Sequence, residues 1–158
     1  MNKKASVEWV GTIKAGNGKI STESGALNES PYSYGTRFGE DVGTNPEELV
    51  GAALAACYSM AFAAQLQKHK HQPERIHTDV DVTLKQSGET FSVTEIKIET
   101  SAQAGDISES ELQEIAEITK KNCPIAKLFN AHITVEASLL TEQSVAAISK
   151  DKGQHATH

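Results

Sequence analysis

Two thiols are the side chains of this 158-residue chain best suited to chemistry without a cofactor. Cys57 lies in the run GAALAACYSM, residues 51–60, which contains no charged residue. Cys123 follows 66 positions later, directly before Pro124. A thiolate is a nucleophile, and two thiols within reach can cycle between dithiol and disulfide. No CxxC motif is present, and no Cys/His pair stands at zinc spacing. On composition alone the two cysteines fit buried apolar filler better than a reactive pair, because free Cys is among the most buried residue types.

The local surroundings of the two thiols differ. Cys123-Pro124 reads as the start of a short helix, which places the sulfur near unpaired backbone N–H groups and a positive dipole end. Lys120, Lys121 and Lys127 are near in sequence. All of this lowers a thiol pKa, so local signals make Cys123 the more activated thiol. Cys57 sits among alanines, where apolar surroundings raise a thiol pKa. If Cys57 reacts, a cation must come from elsewhere. Arg37 is the best candidate, alone in a loop of small and acidic residues, and Glu47 can orient its guanidinium. Taken singly each fits a plainer role better: a surface arginine and a helix N-terminal acid. Glu47 and Cys57 are ten positions apart, about 15 Å along one straight helix and about 80° around it. If both serve one site, the helix bends sharply or Glu47 comes from a partner subunit, and the second is favoured. The two histidines of KHKHQ, residues 68–72, stand at i, i+2, which is poor metal geometry on a helix, and read as a solvated end. There is no glycine-rich phosphate loop and no serine nucleophile elbow.

Several elements must position these groups. Residues 6–14 alternate with Val7, Trp9 and Ile13 on one face, predicting a strand; Asn17-Gly18 is a tight-turn signal, predicting a hairpin return. Residues 28–49 read mostly as loop, with a third strand around Tyr32–Tyr34. TNPEEL predicts a helix over residues 46–70, capped by Asn45 or Thr44 with Pro46 at its first position. From Leu49 to Ala64 that helix is apolar on every side, which predicts burial on every side. So short a chain supplies little to surround it, so a second subunit is expected to cover it. Ile76, Val80, Val82 and Leu84 alternate with polar residues, and the phase slip after Phe91 and Val93 predicts a bulge near Thr94–Glu95. Ser108 and Glu111 have capping-box spacing at the start of a helix over 109–121, with Leu112, Ile115 and Ile118 facing the core. Pro124 interrupts it, and HITVEASLL closes the core as a strand. The class is α+β with antiparallel sheet. Residues 1–140 form one domain, and 141–158 a polar, mobile C-terminal extension.

Composition excludes other classes. The 21 acidic residues outnumber the 15 basic ones, giving a net charge of −6, and no Lys/Arg stripe is present; this argues against nucleic-acid binding. MNKKASVEWVG lacks the apolar core of a signal peptide. The apolar run 49–64 is short and alanine-rich for a membrane span, so a cytoplasmic protein is expected.

The stretches STESGALNESPYSYGTRF, GTNPEELVGAALAACYSMA and NCPIAKLF closely resemble the OsmC/Ohr family of thiol peroxidases (osmotically inducible protein C and organic hydroperoxide resistance protein). The resemblance covers residues 6–140, and TESG…L…PY…TRF is similar to the OsmC branch. It implies an intertwined homodimer, with antiparallel sheets from both chains wrapped around long central helices. It implies a peroxidase acting on organic hydroperoxides and also hydrogen peroxide, in oxidative and osmotic stress defence, re-reduced by an external dithiol of lipoyl or thioredoxin type. It implies no metal, haem or flavin. Carried over by motif, Cys57 is the attacking thiol, Cys123 the resolving thiol, Arg37 the OsmC-branch arginine and Glu47 its orienting carboxylate. In the Ohr branch the arginine lies earlier in the chain. The competing class is a stress-induced, non-enzymatic dimer that binds a small ligand with the same fold.

Overall fold

The computed structural model describes residues 1–141 and Ser144, so the expectation for the extension beyond Thr141 otherwise lies outside the described residues. The chain divides into an N-terminal unit, residues 1–50, and a second unit from Gly51 onward.

The N-terminal unit is a three-stranded antiparallel sheet in the order β1 (Ala5–Val10), β2 (Asn17–Thr22), β3 (Ser30–Ser33). Asn17-Gly18 does not make the turn. Val10 pairs with Asn17 and Trp9 with Gly18, so both residues lie inside β2. The chain reverses over residues 11–16, using Gly11 at φ 97° and a Gly16 N–H to Thr12 carbonyl bond of 2.7 Å. Gly18 serves packing instead: the Tyr32 ring lies where its Cβ would be, and Trp9 Cε3 lies 2.9 Å from that point. Trp9 and Tyr32 pack with ring centroids 5.2 Å apart.

A short helix, α1 (Tyr34–Phe38), follows in place of the expected loop. Ser33 caps it reciprocally: its hydroxyl accepts from Thr36 N–H, and Thr36 Oγ1 accepts from Ser33 N–H. The next helix, α2 (Pro46–Lys68), starts in this unit with Asn45 as its cap, Oδ1 accepting from Glu48 N–H at 2.8 Å. The helix stops at Lys68 rather than residue 70, because Lys70 turns left-handed at φ 70° and His71 N–H closes onto Leu66 carbonyl at 3.0 Å.

The second unit has a three-stranded sheet in the order β4 (Arg75–Ser87), β5 (Thr90–Gln103), β6 (His132–Leu139). The expected bulge is present: Thr83 faces Glu95 and Leu84 faces Val93, leaving Thr94 as the extra residue. One pairing departs from the antiparallel expectation. β6 runs parallel to β5, because α3 (Glu109–Asn122) carries the chain back across the sheet between them. Leu112, Ile115 and Ala116 of α3 join Ile96, Ile98 and Ala102 of β5 in the core. Ile118 is half-buried, and Thr119 is fully buried. Ser108 caps α3, but the Glu111 carboxylate leaves the capping box for His71, 3.2 Å away.

Gln113 straps α3 to the free edge of β6. Its Nε2 donates to Val135 carbonyl at 2.9 Å, and its Oε1 accepts from Ala137 N–H at 2.7 Å. One amide thus satisfies the backbone groups that an additional strand would otherwise take.

Within one chain α2 is not buried on every side. From Gly51 onward a single stripe is buried: Gly51, Leu54, Tyr58, Phe62 and Leu66. Gly51 admits close approach of β4, since a Cβ there would stand 3.3 Å from Val80 carbonyl. Ala52, Ala53, Ala56 and Ala64 are exposed, as is Met60 at 77%. By length and composition α2 is apolar enough to cross a membrane, yet its buried stripe belongs to the core of the second unit.

Replacing Gln113 by Leu should leave Val135 carbonyl and Ala137 N–H without their side-chain partner, costing about 1–3 kcal/mol in urea unfolding. A midpoint equal to that of the wild type would show that the strap carries no stability.

Candidate active site

The second unit brings the two thiols together. Cys123 Sγ donates to Cys57 Sγ across 3.4 Å, and no disulfide joins them. α2 supplies Cys57, which is partly exposed; Cys123 is fully buried.

The short helix expected to begin at Pro124, just after Cys123, is not an α-helix. Cys123 is the C-cap of α3, its N–H bonded to Thr119 carbonyl at 2.8 Å, and only a 3₁₀ turn follows, Ala126–Leu128. Cys123 is not the activated thiol. Burial pushes the Cys123 thiol up; hydrogen bonds from the backbone of Ala126 and Ile125 pull it down and lose, while the Cys57 sulfur adds to the rise. The lysines do not contribute: Lys120 is paired with Glu117 at 2.8 Å, and Lys121 and Lys127 are exposed.

Tyr58, the residue after Cys57, fixes the two helices against each other. It is fully buried, and its hydroxyl donates to Ala116 carbonyl on α3 at 3.0 Å. Burial pushes the phenol up, with Glu117 and then Cys123 adding to the effect. On the sheet side, Ser59 Oγ meets Thr78 Oγ1 at 2.9 Å, and Thr78 Oγ1 meets Thr100 Oγ1 at 3.0 Å. α2 is therefore pinned on both sides of the thiol. The sequence reading passed over Tyr58 and Ser59; the available signal was two polar side chains in an otherwise apolar helical run.

The N-terminal unit brings Arg37 and Glu47 together. Arg37 Nη2 donates to Glu47 Oε1 at 2.6 Å, and its Nε lies 3.1 Å from Oε2 and 3.2 Å from Oε1. The ion pair is partly buried, with side-chain exposures of 33% for Arg37 and 16% for Glu47. The guanidinium also stands over the Phe38 ring, 5.1 Å from its centroid, and that ring packs on Tyr34 at 4.8 Å. Asn45 joins the two elements, its Nδ2 donating to Thr36 carbonyl at 3.4 Å while its Oδ1 caps α2. A clamped, stacked guanidinium has lost its rotational freedom before any anion arrives. Among the described residues no group of three or more His, Cys, Asp or Glu is placed to hold a metal ion.

The model of the family described as OsmC-like protein matches residues 39–138. The chain is 40% identical over 139 residues to Peroxiredoxin OsmC of Escherichia coli strain K12, covering 88% of this chain and 97% of that protein. The chain belongs to the OsmC-like protein family. Solved structures agree on the fold. An OsmC-like protein of unknown function from Vibrio cholerae superposes with a TM-score of 0.68 at 18% identity, covering 87% of this chain and 99% of that one. The organic hydroperoxide resistance protein OhrB of Bacillus subtilis gives 0.61 at 21% identity, covering 87% and 98%. The OsmC-like fold is thus that of both units read along the chain.

Below its raised pKa Cys123 holds its proton, and its side chain is inaccessible. Iodoacetamide at neutral pH should therefore label Cys57 at least about tenfold faster than Cys123 in the reduced protein. Peptide mass mapping over time checks this, and faster labelling of Cys123 would contradict the assigned burial.

Proposed function

We propose that the protein is a thiol-dependent peroxidase that reduces organic hydroperoxides to alcohols, with hydrogen peroxide as a further substrate. Its membership of the OsmC-like family, and 40% identity to a relative named a peroxiredoxin, support the peroxidase class. The single observation that carries the mechanism is the unbonded sulfur pair at 3.4 Å, one sulfur partly exposed and one buried.

The Cys57 thiolate attacks the distal oxygen of ROOH. The O–O bond breaks, the alkoxide takes up a proton and leaves as ROH, and Cys57 becomes a sulfenic acid. The Cys123 sulfur then attacks the sulfenic sulfur. Its proton leaves with the hydroxide as water, and the S–S distance closes to about 2.05 Å. An external dithiol, lipoyl or thioredoxin in type, restores the thiols by exchange and is itself oxidised to a disulfide.

Arg37, held by Glu47, is assigned the positive charge that stabilises the thiolate and the departing oxygen. Glu47 and Cys57 are ten positions apart in sequence, and in this reading the Arg37–Glu47 pair of one subunit serves the thiol of the other. The bare alanine face of α2, with Met60, supports the homodimer this requires. In this reading the protein works in the cytoplasm, a reducing compartment in which a resting dithiol pair persists.

Peroxide consumption by variants tests the assignment. Cys57→Ser should abolish it. Cys123→Ser should allow one turnover and then stall with Cys57 oxidised. Glu47→Gln should lower kcat/KM for cumene hydroperoxide by about 10–100-fold through a loosened Arg37. Full activity of Cys57→Ser would overturn the reading.

A further inference from the structure

We infer that Cys123 acts before it resolves: its S–H is the hydrogen-bond donor that holds the charge of the Cys57 thiolate. The inference rests on Cys57 being the nucleophile and adds a first role to the resolving thiol.

The geometry assigns the donor. Cys123 Sγ donates to Cys57 Sγ at 3.4 Å.

Burial then fixes the direction of charge. Cys123 is fully buried and Cys57 is not, so a negative charge on the pair is better solvated on the Cys57 sulfur. The same proton serves the second step. Once Cys57 is a sulfenic acid, the Cys123 proton faces the sulfur whose hydroxide must leave as water.

Among the described residues of this unit, the other titratable groups near the pair are Tyr58 on α2, kept neutral by burial, and Glu117 on α3, paired with Lys120; in the proposed dimer the Arg37–Glu47 pair also faces Cys57 and is unchanged in every variant below. β4 and β5 turn Ile76, Val80, Ile96 and Ile98 toward the core, and these carry no charge.

The test compares donors and non-donors of matched shape at position 123 in the full-length protein. Cys123→Ser is set against Cys123→Ala, and Cys123→Thr against Cys123→Val. Each variant has Cys57 as its sole thiol and none can form the disulfide. The rate of Cys57 alkylation by iodoacetamide is followed from about pH 5 to pH 9. The hydroxyl variants should keep a midpoint close to that of Cys57 in the wild type. The Ala and Val variants should titrate about half a unit to one unit higher, so that they alkylate about three- to tenfold more slowly on the acid side. Coincident profiles within the pairs would overturn the inference, and if one pair fails to fold the other decides. Peroxide is absent from the assay, so loss of peroxidase activity in the wild type would overturn the proposed function and leave this result standing.

Discussion

The structure of the second unit turns on the sulfur–sulfur contact between α2 and the C-cap of α3. A contact of 3.4 Å between a half-exposed and a buried thiol is too long for a bond and short enough to become one by side-chain motion. Much of the packing around it holds that gap. Tyr58 ties α2 to α3 through Ala116 carbonyl, Ser59 ties α2 to the sheet through Thr78, and Gln113 ties α3 to the edge of β6. These tethers are neutral hydrogen bonds at buried or half-buried positions, each worth about 1 kcal/mol net, and together they favour one registry over a sliding interface.

Charge is handled separately. The Arg37–Glu47 pair is assembled inside the N-terminal unit from α1 and the first turn of α2, with Asn45 joining them and Phe38 stacking on the guanidinium. A cation oriented in this way needs no reorganisation when negative charge develops, which is the property that electrostatic catalysis requires.

Much of this was legible in the sequence. The period of Ile76–Leu84, the phase slip at Thr94 and the caps at Asn45 and Ser108 each specify local structure through local chemistry, and each element formed accordingly. Asn17-Gly18 misled because its glycine answers to a distant ring, Tyr32, rather than to a turn. The parallel pairing of β6 was hidden because alternation reveals a strand's faces and not its direction. At the site, motif and chemistry offered Cys57, Cys123, Arg37 and Glu47 as candidates, and the structure pairs the two thiols and pairs the two charges; the local signals at Cys123 would lower a thiol pKa, whereas its burial raises it. Proline, lysines and helix-end N–H groups are visible in sequence, whereas complete burial of the sulfur depends on how the core of the second unit packs. Tyr58 stayed unread for the same reason, since its partner lies 58 positions away.

The most direct test of the paired-thiol account is the intact mass of the reduced protein after one equivalent of cumene hydroperoxide. Formation of the Cys57–Cys123 disulfide removes two hydrogens, so the mass should fall by about two units and return on treatment with a dithiol. An unchanged mass with both thiols still titratable would contradict it.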